Sequence, residues 1–351
     1  MSAESVLPSI KFYPLSIPAP EGFQAANLGI CWRGGGFAAT VRAVNYTLTP
    51  DGYHHRDAAD PSYRSRVLLL QLDEEFRIAA SVEVDPPADL PIASHDALGF
   101  EDPRPFVWRN GLWCVSCVRQ LNPEARAEMV LARIDETQSN RATFTDWRAL
   151  PSPAPPRWEK NWMPQVLGDE LRFVYSVDPT RILSGAGTLI TEQPAAIAAD
   201  TFLGGSQAVD FDGGWLIVIH EFEFVDYKRR YFHRFIWLNR NNVLSRLSRR
   251  FYLRQPGYEF VAGMAWHPDG KRLAISFSVN DSDLFVAILA GDDVRKILLD
   301  IDEHELASRQ AVAAGRDILD QIMGQAGFSF IEVTAIANTE QNEIAGLTTV
   351  F

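Results

Sequence analysis

Acidic, basic and amide side chains stand where short apolar strands are expected to begin or end. Carboxylates and amides make the bidentate contacts that sugar hydroxyls require, and an aromatic side chain packs on the apolar face of a sugar ring. A glycosidic bond also needs a carboxylic acid to protonate its leaving oxygen. The pattern therefore predicts a carbohydrate site. Its members are Asn27, Arg42, Glu101, Asp102, Arg104, Lys160, Asn161, Trp162, Ser206, Gln207, His220, Glu221 and Glu259.

A repeated unit of strand, tight turn and strand would bring these residues together. Each turn is preceded by a short apolar stretch and followed by an apolar strand, and the turns recur at about 45 to 75 residues, a spacing typical of propeller blades. The predicted fold is therefore all-β, a five-bladed β-propeller, with a β-sandwich as the alternative. The five turns are Gly34–Gly36, Asn110–Gly111, Gly168–Asp169, Asp212–Gly213 and Asp269–Gly270.

The first strand of each propeller blade lines a central channel, so residues where those strands begin are expected to converge on one funnel. We assign residues 1–300 to the propeller and 301–351 to a C-terminal helix and tail that pack on it. The helix is predicted over 303–325 from apolar residues at helical spacing. It would pack on the propeller's side or join two copies of the chain, and the sequence favours neither.

Composition and charge exclude several classes of partner. Lys and Arg number 33 against 45 Asp and Glu, giving a formal net charge of −12. Such an acidic chain does not attract nucleic acid or an anionic membrane. No apolar window is long enough to span a membrane, and the first residues lack a secretory pattern. With three cysteines, we expect a cytoplasmic protein without a disulfide scaffold.

Cys114 and Cys117 form a C-x-x-C pair, which is a common metal or redox spacing. Their surroundings predict a strand, on which residues three apart point to opposite faces. The two sulfurs would therefore not converge, and we expect neither a metal nor an organic cofactor. Inorganic phosphate is the one small co-substrate that the chemistry below calls for.

Four segments resemble the motifs of glycoside hydrolase family 130, which comprises five-bladed propeller β-mannoside phosphorylases and related β-1,2-mannosidases. Residues 99–104, Gly-Phe-Glu-Asp-Pro-Arg, resemble the family's G-x-E-D-P-R signature. Residues 160–164, 219–221 and 277–281 resemble its later motifs in order and spacing. The resemblance covers roughly residues 25–290.

The resemblance implies roles for individual residues. Asp102 matches the family's single catalytic carboxylate, which acts as general acid with inversion of the sugar, in the phosphorylases through a sugar hydroxyl. Lys160 and His220 match positions that hold phosphate, and Asp281 matches a sugar-binding aspartate. The family's phosphorylases place arginines around phosphate, and Arg148 and Arg157 are the candidates for a position that is not otherwise matched.

The residues leave several functions open. A phosphorylase needs Asp102 as acid and cations around phosphate, whereas an inverting hydrolase needs a second carboxylate to activate water, about 6.5–9.5 Å from the acid. Glu221 and Glu259 are the candidates for that base. The acid should have a raised pKa, to which Glu101 would contribute if both carboxylates faced the funnel. A non-catalytic sugar-binding propeller and a mannosyltransferase with a phosphorylated donor are the alternatives.

Overall fold

The computed structural model describes residues 1–49, 52–56, 62–92, 95–137, 141–153, 155, 157–225 and 228–301. Residues Met1–Ile301 form one compact unit, separate from residues 302–351. The predicted helix at 303–325 and the tail lie outside the described residues, so their placement on the propeller stays a prediction. The described residues contain two short helices, α1 (Ala3–Val6) and α2 (Gly291–Ile297).

Strands make up most of the first unit, as the all-β prediction requires. In chain order they are β1 (Lys11–Leu15), β2 (Gln24–Trp32), β3 (Phe37–Val44), β4 (Tyr46–Thr49), β5 (Gly52–His55), β6 (Tyr63–Leu72), β7 (Ile78–Asp85), β8 (Ala97–Trp108), β9 (Gly111–Val118), β10 (Glu128–Thr137), β11 (Arg141–Ala149), β12 (Met163–Leu167), β13 (Glu170–Val177), β14 (Thr180–Ser184), β15 (Leu189–Gln193), β16 (Leu203–Gly204), β17 (Val209–Phe211), β18 (Gly214–Val225), β19 (Lys228–Leu238), β20 (Leu244–Leu247), β21 (Glu259–Trp266), β22 (Arg272–Val279), β23 (Asp283–Ala290) and β24 (Leu299–Asp300).

All strands except β4 and β5, which form a separate two-stranded sheet, pair in five consecutive groups. Group 1 is β2-β3-β6-β7, group 2 is β8-β9-β10-β11 and group 3 is β12-β13-β14-β15. Group 4 consists of β16 and β17 on β18, followed by β19, β20 and β24, and group 5 is β21-β22-β23-β1. Within each group, sequential neighbours pair antiparallel. The strand-turn-strand unit of the sequence is therefore the hairpin that begins each group.

Groups 1 and 2 are also joined to each other. β11 pairs with β7, and β6 pairs with β8, both in parallel. The six strands β6, β7, β11, β10, β9 and β8 consequently form a closed ring of hydrogen-bonded neighbours. The two groups thus behave as one eight-stranded sheet.

Two of the five predicted turn positions form two-residue hairpins with two positive φ values. Asp212 and Gly213 link β17 to β18 with φ values of 48° and 74°. Two positive φ values match the right-handed twist of the flanking strands, and Asp-Gly tolerates them. Before β9 the turn residues are Arg109 and Asn110, with φ of 48° and 58°. This turn therefore lies one residue earlier than the Asn-Gly pattern predicts.

The core consists of five large apolar clusters, each between two groups of strands. In order, they join groups 1 and 2, 2 and 3, 3 and 4, 4 and 5, and finally 5 and 1. Burial of these faces supplies most of the stabilisation, at about 25 cal/mol per Å² of apolar surface. Cys114 and Cys117 belong to different clusters, so their side chains do point to opposite faces of β9, as predicted.

Candidate active site

Asp102 lies at an irregularity in β8. The register of β8 on β9 shifts between Glu101 and Arg104, and Asp102 has φ 48°. Its Oδ1 accepts hydrogen bonds from Asn27 Nδ2 at 2.7 Å and from Arg42 Nη1 at 3.1 Å. Within the described part of the chain, Oδ2 has no protein partner, and 17% of the side chain is exposed. One carboxylate oxygen is therefore fixed and the other is available to a ligand.

Glu101 is surrounded by three cations. Arg119 Nε donates to Glu101 Oε1 at 2.8 Å, while Arg42 Nη2 and Lys160 Nζ lie 3.7 and 3.8 Å from Oε2. The bulge brings Glu101 and Asp102 into contact with the same arginine, although neighbours on a regular strand point apart. The three positive charges thus exceed the single negative charge of Glu101.

The pKa values of Asp102 and Glu101 are lowered, whereas a raised pKa is expected of the acid. Burial acts to raise the pKa of Asp102, but Arg42 and the hydrogen bond from Asn27 outweigh it and lower the pKa below its usual range. Burial likewise opposes Arg42 and Lys160 at Glu101, whose pKa is also lowered. In the free protein both groups are therefore carboxylates at neutral pH.

Asp281 is the third carboxyl group of the site. It follows β22 with φ 50°, is 7% exposed, and its buried Oδ1 has no hydrogen-bond partner among the described residues. Burial, followed by the negative charge of Asp102, raises the pKa of Asp281 to about 7. Asp281 is thus the carboxyl group of the site that holds a proton near neutral pH.

Asn27 and Arg104 connect the site to other strands. Asn27 Oδ1 accepts a hydrogen bond from Ser278 Oγ at 2.6 Å, which fixes the amide that donates to Asp102. Arg104 is buried, and donates through Nε to the Gly205 carbonyl and through Nη2 to Asn161 Oδ1, at 2.7 and 2.8 Å. Burial lowers the pKa of Arg104 to about 10, so it remains a cation that orients Asn161.

Three predicted substrate contacts are structural instead. Trp162 is 0% exposed, packs in the cluster between groups 2 and 3, and donates its Nε1 to Glu159 at 2.9 Å. Ser206 Oγ is bonded to the carbonyl of Gln207 and the N–H of Val218. Gln207 itself donates to the Ile30 carbonyl and accepts from the Met264 N–H. These side chains are buried, and each of their polar groups is bonded to the protein.

The two candidates for a hydrolytic base differ in what they leave open. Glu259 is 0% exposed, and its carboxylate accepts the backbone N–H groups of residues 253, 254 and 255 at 2.6, 2.6 and 2.9 Å. Burial raises its pKa, and it is not free to activate water. Glu221 Oε1 is bonded to Arg234 Nε at 2.5 Å, while Oε2 has no partner among the described residues. Glu221 lies, however, on the face of β18 opposite to His220.

The predicted phosphate residues differ in their charge. Lys160 has 40% of its side chain exposed and reaches Glu101. His220 is buried, its Nδ1 has no described partner, and burial, followed by His233 and Arg104, lowers its pKa to about 3. His220 is therefore neutral and offers a hydrogen bond rather than a charge.

The arginines proposed from the sequence do not meet this cluster. Arg148 donates to the Gly185 carbonyl at 3.1 Å, and Arg157 lies over the ring of Tyr175. Arg119, directly after β9, is the guanidinium that contacts Glu101. By the strand register it corresponds to Asn45 of group 1 rather than to Arg42, so the repeat does not mark it.

Two aromatic residues of the site were also missed. Tyr46 accepts a hydrogen bond at its hydroxyl from Arg42 Nη2 at 3.0 Å, beyond the end of β3. Trp158 is 42% exposed and stacks on Arg119, whose guanidinium carbon lies 4.7 Å from the ring centroid. Trp158 therefore offers the open aromatic face that Trp162 does not. It lies in a Pro-rich loop, where no periodic pattern marks it.

A groove of about 610 Å³ adjoins the site. Gln24, which lines the groove, donates through Nε2 to the Asp281 carbonyl at 3.4 Å, and Ser282, which also lines it, follows Asp281 directly.

Among the described residues there is no cluster of side chains able to hold a metal ion. No helix in that part of the chain is long and apolar enough to cross a membrane.

Comparison with known proteins identifies the fold through structure. No protein-family model matches the chain, and no curated protein matches its sequence. The β-1,2-mannobiose phosphorylase of Listeria innocua superposes with a TM-score of 0.55 at 12% identity, over 82% of this chain and 98% of that one. This chain has the fold of a mannoside phosphorylase.

Two further structures agree with that fold. A mannose phosphorylase from Leishmania mexicana, in complex with phosphate, gives a TM-score of 0.50 at 13% identity, over 83% of this chain and 93% of that one. A structure reported for the family 130 glycoside hydrolases that target β-1,2 mannosidic linkages in Candida mannan gives 0.50 at 14%, over 76% and 84%. The resemblance seen in residues 99–104 is thus supported at the level of fold.

Proposed function

We propose that the five groups of strands are the blades of a five-bladed propeller, and that the protein is an inverting phosphorylase acting on β-mannoside-like oligosaccharides. The five clusters support the first part, because the last one packs group 5 against group 1 and so returns to the start. The observation that carries the second part is the geometry of Asp102: one oxygen is held by Asn27 and Arg42, and the other is open beside an excess of cations.

In the proposed reaction, a phosphate oxygen attacks the anomeric carbon as the bond to the leaving oxygen breaks. The proton of Asp102 passes to that oxygen, directly or through a sugar hydroxyl. Asp102 then takes up the proton that hydrogen phosphate loses. Asp102 must be protonated when substrate is bound. A phosphate dianion would compete for Arg42 and add negative charge, and both effects raise the pKa of a neighbouring carboxyl group.

Phosphate is assigned to Lys160 and Arg119, with His220 restricted to a neutral hydrogen bond. Cations bind phosphate oxygens through short charge-assisted hydrogen bonds, and arginine does so bidentately. Hydrolysis is less favoured because both oxygens of Glu259 are bonded to backbone N–H groups and Glu221 lies on the face of β18 opposite to His220. Asp281 is the second candidate for the acid, favoured by its unpartnered Oδ1 and by a pKa of about 7.

Calorimetry with inorganic phosphate tests this proposal. We expect wild type to bind phosphate, Lys160→Ala to lose about tenfold in affinity, and Lys271→Ala, an exposed lysine outside the cluster, to bind as wild type does. Product analysis with β-1,2-mannobiose should then give mannose 1-phosphate only when phosphate is present. Sugar release without phosphate would indicate a hydrolase, and transfer from a nucleotide donor a transferase. Saccharide binding with no turnover, unchanged in Asp102→Asn, would indicate a binding protein.

A further inference from the structure

The hairpin of β18 and β19 carries an aromatic face that the proposed reaction does not use. Phe222 and Phe224 lie on one face of β18, opposite Tyr231 and Arg229 of β19. Cross-strand partners share a face of the sheet. Phe224 is 64% exposed and Phe222 36%, so their rings are open to a ligand.

This face leads to the candidate active site. The ring of Phe222 lies 5.9 Å from Tyr231, which lies 5.5 Å from His220. His220 in turn lies 5.4 Å from Phe260, whose ring is 5.5 Å from the guanidinium carbon of Arg104. A row of ring contacts therefore connects the exposed end of the hairpin with the arginine that orients Asn161. Its middle members are buried, since Tyr231, His220 and Phe260 are 5%, 3% and 7% exposed, so the row holds the hairpin against the site and a ligand that spans both lies over it.

Phe224 and His220 are separated by more than the length of one sugar. Phe224 is four residues beyond His220 on the strand, which is about 13 Å at the usual rise. A ligand at Phe224 would therefore lie beyond the sugar that reaches Asp102. Arg229 completes the face, because its guanidinium lies over both rings, at 5.0 Å from Phe222 and 5.9 Å from Phe224. It provides N–H donors beside an apolar surface.

We propose that Phe222, Phe224 and Arg229 bind the distal sugar of an oligosaccharide whose other end occupies the Asp102 site. Aromatic rings pack on the apolar face of a sugar while the guanidinium donates to its hydroxyls. The exposed parts of the two rings amount to about 200 Å², well below the roughly 800 Å² per partner of a stable protein interface. This inference rests on the proposed function, since it extends the same substrate.

Calorimetry with β-1,2-linked mannobiose and mannotetraose tests the inference. Wild type should bind the tetrasaccharide more tightly than the disaccharide. In the variant Phe222→Ala/Phe224→Ala, the affinity for the tetrasaccharide should fall about tenfold, with the affinity for the disaccharide unchanged. The variant Phe222→Ala/Phe224→Trp should lose less affinity for the tetrasaccharide than the double alanine variant. Glu223→Gln is the matched control, because Glu223 lies on the other face of β18, beside Arg250, and should leave both affinities unchanged.

The possible failures are distinguishable. Equal affinities of wild type for the two sugars, or unchanged tetrasaccharide binding in the double variant, would overturn this inference and leave the proposed function intact. Absence of binding of either sugar by wild type would overturn both. A wild-type dimer that the double variant dissociates, measured by light scattering, would assign the face to a second copy of the chain instead.

Discussion

Polar side chains placed at the same point of the repeated unit are used in two different ways. Around Asp102, a carboxylate oxygen remains open and cations outnumber the acids that hold them. At Gln207 and Glu259, the side-chain groups are bonded to backbone of the surrounding strands and loops. Both regions are rich in charge and amides. The difference teaches that remaining bonding capacity, rather than position in the repeat, distinguishes a site from a structural polar contact.

The substitution Asp102→Asn should have the largest effect on this contrast. An amide cannot deliver the proton, so we expect turnover to fall about 10³-fold or more, while Asn still accepts from Asn27 and Arg42 and the melting temperature stays near that of wild type. Steady-state kinetics and thermal unfolding measure the two quantities. Asp210→Asn, an exposed aspartate paired with Arg240, is the control. Wild-type turnover in Asp102→Asn would remove it from the chemistry.

Asp281→Asn should change the pH dependence of stability. The folded-state pKa of Asp281 is raised to about 7 from an ordinary value of 3.8. Its contribution to stability is therefore fully present below about pH 4 and is lost as the pH rises through 7. The variant lacks this loss, so its stability relative to wild type should increase from pH 4 to 7 by at most about 4 kcal/mol. Parallel curves for the two proteins over that range would contradict the protonated state.

Glu259→Gln should affect stability and leave the chemistry unchanged. Leu253 N–H donates to one carboxylate oxygen and the N–H groups of residues 254 and 255 donate to the other. The amide NH₂ replaces one of these oxygens, so at least one backbone N–H loses its acceptor, and an unsatisfied buried group costs about 1–3 kcal/mol. Urea unfolding should show this loss, while kcat per folded molecule stays at the wild-type value. Unchanged stability with a strong loss of kcat would instead return Glu259 to the catalytic machinery.

The two tryptophans give the smallest and most direct comparison. Trp158→Ala should weaken sugar binding by about three- to tenfold with little change in melting temperature, because the ring is exposed beside Arg119. Trp162→Phe should do the reverse, because that ring is buried and its Nε1 is bonded to Glu159. Calorimetry and thermal unfolding of both variants measure the contrast. Weaker sugar binding in Trp162→Phe alone would reverse the assignment.

The sequence predicted the all-β class and the repeated hairpin because turn chemistry is local. Asp212 and Gly213 adopt positive φ through their own steric preferences. It also placed Asn27, Arg42, Glu101, Asp102, Arg104 and Lys160 in mutual contact through the repeat. What it did not predict is which polar groups are already bonded. Gln207 is bonded to Ile30 and Met264, which lie 177 and 57 residues away. The partners of Glu259 and Trp162 are near in sequence, at residues 253–255 and at Glu159, but they lie between strands, where no periodic pattern marks them.

The bulge in β8 is a second feature that pattern alone does not predict. A regular strand would direct Glu101 and Asp102 to opposite faces. The raised pKa is expected of Asp102 because of its role as acid, with a contribution from Glu101 only if both carboxylates face the funnel. The register shift does bring both to Arg42. The same arginine, however, lowers the pKa of each, so the charge balance was predicted with the wrong sign although the neighbours were right.

The pairing of β1 with β23 has a consequence for synthesis. Lys11–Leu15 pairs with Leu284–Ile288, so a strand made among the first residues finds its partner only after almost the whole described chain has left the ribosome. Until then the sheet of group 5 is incomplete, and β1 has an unpaired edge that is able to bind other chains. Closing so long a loop makes the last docking step slow relative to local hairpin formation.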